Sequence, residues 1–159
     1  MEQVFSKILN EKKITTSDEI YFEKIADVIA RLFTDYNGIS QLQKGYNLNE
    51  VEQIWCLNVD EEYDLDQKLS EGYYNWVSND GLYIYNFNAQ KDLQKRLKDI
   101  DKLIATKTQF IVFKQTFKGT KKSQYQFYGV FMYDKTLDDG QTIAYKKISD
   151  EFKFNFKDL

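Results

Sequence analysis

The stretch from Gln109 to Phe154, QFIVFKQTFKGTKKSQYQFYGVFMYDKTLDDGQTIAYKKISDEFKF, leaves this chain few folds to choose from. Three segments rich in β-branched and aromatic residues are separated by two turn clusters, one around Lys118-Gly119-Thr120 and one ending at Asp139-Gly140. The pattern predicts a three-strand antiparallel meander. Alternation along the middle strand puts Tyr125, Phe127, Gly129, Phe131 and Tyr133 on one face and Tyr128, Val130 and Met132 on the other. Both faces are apolar, so this strand is expected to be central and covered on both sides.

Upstream, Val4, Phe5, Ile8 and Leu9 form one stripe of a short helix over Glu2 to Lys12. Thr16-Ser17-Asp18-Glu19 has the form of a capping box. The helix it opens carries Tyr21, Ile25, Val28, Ile29, Leu32 and Phe33, and Asn37-Gly38 is its left-handed stop. Asn49 is expected to cap a second short helix through Val51, Ile54 and Trp55. The segment that follows, NVDEEYDLDQKLSEG, holds Asp60, Glu61, Glu62, Asp64 and Asp66. Asp60, Glu62, Asp64, Asp66 and Glu71 have a spacing similar to that of a calcium loop, but Leu65 stands where glycine is required and Lys68 where a ligand belongs, so the segment reads as solvated and acidic. Tyr73 to Phe87 is a hairpin turning at Ser78-Asn79-Asp80-Gly81. Asn88 then caps a helix with Leu93, Leu97, Ile100 and Ile104 on its apolar side. Lys91, Asp92, Lys95, Arg96, Lys98 and Lys102 are expected to face water.

The predicted fold class is α+β. N-terminal helices over residues 1–71, including the acidic segment, pack on a small, strongly curved, mostly antiparallel sheet or barrel over residues 72–159 with one amphipathic helix at about 89–105. A chain of 159 residues buries about two-thirds of its unfolded surface, so neither metal nor disulfide is needed to fold it. The lone Cys56 has no internal partner and favours a reducing compartment. No apolar run reaches membrane-spanning length, and residues 1–10 lack a signal pattern; the expectation is a cytoplasmic protein.

The composition also excludes chemistry. The chain has no histidine, which removes Ser–His and Cys–His nucleophiles and imidazole zinc sites. One cysteine cannot form a thiolate zinc site, and no phosphate-binding glycine pattern is present. The expected protein is a non-enzymatic binder without cofactor or metal.

From Gly72 onward the chain resembles the PUA/SRA-like barrels found beside HNH nucleases and helicases in bacterial restriction systems. The resembling pieces are GYYNWVS, LYIYNF, the helix, QFIVFKQTFKG, YQFYGVFMYD and IAYKKISDEF, within residues 72–154. The resemblance implies a domain that reads nucleic acid, DNA before RNA, by taking a flipped or modified base into an aromatic pocket. A base outside the stack needs rings on its faces and polar groups at its edge. Tyr73, Tyr74, Asn75, Trp76, Tyr83 and Tyr85 are the pocket candidates, and Lys114, Lys118, Lys121 and Lys122 the phosphate-binding ones.

Charge supports a second reading. Residues 1–100 hold 18 acidic and 11 basic side chains, whereas residues 101–159 hold 7 acidic and 11 basic. This charge balance suits a phage-type anti-defence inhibitor. Asp60, Glu61, Glu62, Asp64 and Asp66 would then press on a basic host nuclease or other defence protein.

Overall fold

A computed structural model describes residues 2–18, 21–22, 45–47, 51–57, 72–88, 92–116, 124–137 and 140–153. Helix α1 (Glu2–Glu11) leads into strand β1 (Lys13–Thr15), followed by β2 (Gly45–Asn47), β3 (Glu52–Leu57), β4 (Tyr73–Val77) and β5 (Tyr83–Asn88). Helix α2 (Leu93–Thr106) precedes β6 (Gln109–Thr116), β7 (Gln124–Leu137), β8 (Thr142–Ser149) and β9 (Glu151–Lys153). β1 and β9 form a separate antiparallel pair; the other strands form one sheet in the order β2-β3-β6-β7-β8-β5-β4. β3 and β6 run parallel, and every other neighbouring pair is antiparallel.

The meander is present as β6-β7-β8, with β7 in the middle. Its face assignment needs one correction. Val112 pairs with Gly129 but Phe113 pairs with Phe127, so Tyr128 is the extra residue of a bulge. Alternation slips by one there. Phe127 and Val130 share the face of Phe113 and Ile111, while Tyr128 stacks on Phe131 with ring centroids 5.8 Å apart. Gly129 makes the bulge possible, with φ +126° and no room for a Cβ beside the Ser149 carbonyl.

The sheet is curled and, among the described residues, open: its edge strands β2 and β4 do not pair with each other. β3 and β8 stand three positions apart, about 14 Å in a flat sheet. Yet the Trp55 and Tyr145 rings meet at 5.1 Å across the inner face, and both touch Phe110. Leu57, Ile84, Ile100, Val112, Phe131 and Ile143 complete that inner core. On the outer face Phe22 meets Phe113 edge-on at 6.1 Å.

Three helix expectations change. The segment proposed as a helix after Asn49 is strand β3: Ile54 and Cys56 bury one face, Trp55 and Leu57 turn to the other, and a parallel strand buried on both sides shows a near-continuous apolar run. Phe22 is bridged to Tyr125 by two backbone hydrogen bonds of 2.9 and 2.7 Å, so the chain is extended where a helix was expected to begin. Residues 23–37 of that helix lie outside the described residues. Asn88 closes β5, and the cap of α2 is Asp92, whose side chain accepts from the Gln94 and Lys95 amides. α2 also sits rotated from the expected orientation. Arg96 and Ile100 are buried, whereas Leu93, Leu97 and Ile104 are 45%, 42% and 52% exposed. Arg96 goes inside because backbone carbonyls, invisible in a helical wheel, wait for it there. No described helix is long and apolar enough to cross a membrane.

Candidate nucleic-acid interface

The β4–β5 hairpin carries all six predicted pocket residues. Its turn is built by Asp80, whose Oδ1 accepts from the Ser78 hydroxyl at 2.6 Å and from the Leu82 N–H at 3.0 Å. Gly81 takes φ +73°, and its N–H donates to the Ser78 carbonyl at 3.0 Å. The Ser78 hydroxyl, then the Leu82 N–H, hold the exposed Asp80 carboxyl below its usual range.

The turn sets the register: Asn75 faces Asn86, Trp76 faces Tyr85 and Val77 faces Ile84. Period-two alternation therefore divides the six residues between two faces. Trp76, Tyr85 and Tyr83 form a ladder of near-parallel, half-buried rings, with centroids 4.9 Å and 6.0 Å apart and planes within 22° and 17°. Asn75 lies on the opposite, inner face, 6% exposed. There the Asn86 Nδ2 donates to the Asn75 Oδ1 at 2.6 Å. Tyr73 and Tyr74 occupy the strand positions opposite Asn88 and Phe87.

Asn86 was not singled out from the sequence, although counting outward from the Ser78–Gly81 turn places it opposite Asn75. Its backbone is fixed by Arg96, which donates from Nη2 to the Asn86 carbonyl at 2.7 Å and to the Gln141 carbonyl at 3.0 Å. Arg96 Nε donates to the Gly140 carbonyl at 3.0 Å. Beside it, between α2 and the inner face, lies a cavity of about 280 Å³ bordered by Gln53, Asp99, Lys102, Thr108 and Tyr145.

Of the predicted phosphate ligands, Lys114 sits with its Nζ 5.7 Å from the Tyr128 ring centroid. Lys118, Lys121 and Lys122 lie outside the described residues, as do Asp60, Glu61, Glu62, Asp64 and Asp66. A second cation, Lys147, stands over the same ring at 4.9 Å and pairs with Asp150 at 3.1 Å. Burial, then the nearby Asp80 charge, raise the Tyr128 phenol above its ordinary pKa. Burial also pushes the Cys56 thiol up to about 12, so this residue is no nucleophile near neutral pH. Among the described residues no group of three His, Cys, Asp or Glu is placed to hold a metal.

The fold has a solved counterpart. The chain superposes on "The 5-Hydroxymethylcytosine-Specific Restriction Enzyme AbaSI" with a TM-score of 0.69 over 96% of its own length, at 20% sequence identity. It spans 46% of that enzyme's chain. Among curated proteins none matches. The family model of the SRA, or SET and RING associated, domain matches residues 7–154, a span that takes in β1, β2 and β3 as well as the strands after Gly72. The chain belongs to the SRA domain family.

Proposed function

We propose that this SRA domain is a non-catalytic module that binds duplex DNA and reads a modified cytosine turned out of the helix, with 5-hydroxymethylcytosine the first base to test. The observation that carries this reading is the Asn75–Asn86 amide pair on the inner face of the hairpin. A flipped base is recognised at its polar edge by groups of fixed direction. Asn75 accepts one Nδ2 hydrogen of Asn86 and so sets which way that amide faces. Asn86 then offers its Oδ1 to the exocyclic amino group of a cytosine, and its remaining N–H to the adjacent 5-hydroxymethyl oxygen, the acceptor that unmodified cytosine lacks.

Of the predicted pocket residues the reading keeps Asn75, together with Tyr73 two positions earlier on the same strand. The Trp76–Tyr85–Tyr83 ladder lies on the opposite face and stiffens the hairpin that presents the amides. Lys114 supplies positive charge on the strand next to β7. The acidic residues that would support an inhibitor of a defence nuclease are outside the described residues; the amide pair is the observation that favours the reader.

Fluorescence anisotropy with paired duplexes, one carrying 5-hydroxymethylcytosine and one cytosine at the same position, tests this with Asn86→Ala. Loss of a base-edge contact removes about 1–3 kcal/mol of discrimination. The variant should therefore retain duplex binding while its preference for the modified base falls about tenfold. An unchanged preference in Asn86→Ala overturns the assignment.

A further inference from the structure

We infer that Arg96 is a positioning residue for base reading, acting through the Asn86 main chain; the inference rests on the reading above. The residue is only 6% exposed. Taking a guanidinium out of water costs several kcal/mol unless its donors are met. Three of its five N–H donors are met by the carbonyls of Asn86, Gly140 and Gln141, which belong to the end of β5 and the turn before β8. The Asn88 N–H also donates to the Gln141 carbonyl at 2.9 Å, closing the same corner.

One planar fork thus sets the spacing of helix, strand and turn at the residue whose amide reads the base. Arginine suits this because its donors diverge at fixed angles, whereas lysine presents a single point charge on a flexible stem. The same turn also lies close against the helix through Gly140. Gly140 takes φ +102°, and a Cβ there would lie 3.1 Å from Leu97 Cδ2 and 3.4 Å from Leu93 Cδ1. If the corner relaxes, Asn86 shifts against Asn75, and misplacement of about 1 Å in a preorganised site costs up to about a hundredfold in function.

The test uses Arg96→Lys, which keeps the charge but not the fork, with Gly140→Ala as a second variant that displaces the corner while retaining Arg96. Two readouts are taken: the ratio of affinities for modified and unmodified duplexes, and the NMR resonances of the Asn86 side-chain amide without DNA. The expected result is an Asn86 amide resonance that moves in both variants. The affinity for unmodified duplex should stay within about twofold while the preference for the modified base falls about fivefold or more. An Asn86 amide resonance unmoved in both variants overturns the inference, and so does an unaltered preference. A wild-type domain with no preference overturns the base-reading proposal instead, and the amide resonance alone then decides whether Arg96 fixes Asn86.

Discussion

Replacing Gly129 with alanine places a methyl group where the middle strand of the sheet has no space for one. At φ +126° an L side chain is strained, and the new Cβ would stand 2.9 Å from the Ser149 carbonyl oxygen and 2.9 Å from Lys147 Cε. Moving the lysine tip costs its contacts with Asp150 and the Tyr128 ring, so the larger obstacle is the backbone oxygen. The backbone oxygen can move only with β8. Unfavourable φ/ψ costs about 1–3 kcal/mol, and weakening one ladder hydrogen bond adds about 1 kcal/mol. A total of about 2–4 kcal/mol lowers the Tm of a domain this size by about 4–16 °C. Gly81→Ala is the comparison: its φ of +73° is left-handed helical, and its Cβ would meet the Tyr128 side chain, nearest at the hydroxyl, 3.1 Å away. That change costs about 1–2 kcal/mol. Thermal unfolding followed by circular dichroism should rank Gly129→Ala below Gly81→Ala. A Gly129→Ala protein as stable as wild type, or more stable than Gly81→Ala, refutes the account of the bulge.

Trp76→Ala removes one end of the ring ladder and should cost about 2 kcal/mol in chemical denaturation, while leaving the preference for a modified base intact, since the ring lies on the face opposite Asn86; loss of preference at unchanged stability would put the pocket on the other face. Cys56, its thiol pushed up to about 12, should stay unmodified by a thiol reagent at pH 8, where about one molecule in ten thousand carries the thiolate, and react on unfolding; prompt reaction of the native protein argues against its burial. Asp80 has a folded pKa below its unfolded value, so the stabilisation of the turn is present above about pH 3.9 and is lost as pH falls through the folded pKa. The Leu82 amide shift should therefore titrate with a midpoint below that value; a midpoint at or above it contradicts the hydrogen bonding drawn for the turn.

Local chemistry made the meander and hairpin legible. Period-two runs of Tyr, Phe, Val and Ile state their strand character directly, and Ser78 to Gly81 sets a turn without outside help. What stayed hidden depends on distant partners. The run Ile54-Trp55-Cys56-Leu57 fits a buried helix turn or a buried strand equally well, and pairing with β6, more than fifty residues later, decides it. The bulge at Tyr128 moves one residue across the sheet, which alternation alone does not register. Arg96 was assigned to the wet face of α2 because a wheel weighs charge and ignores the carbonyls of Asn86, Gly140 and Gln141. The site divides the same way. Asn75 stood out beside its aromatic neighbours, whereas Asn86 gains its meaning from the register that brings it to 2.6 Å.

The central claim is that this domain holds a modified cytosine outside the duplex. The most direct test places 2-aminopurine next to 5-hydroxymethylcytosine in a duplex and follows its fluorescence as protein is added, because extrusion of the neighbouring base unstacks the reporter. The account predicts a several-fold rise that saturates with binding and is absent, or much smaller, when cytosine replaces the modified base. Saturated binding with no rise on the modified duplex, or the same rise on both duplexes, would contradict it.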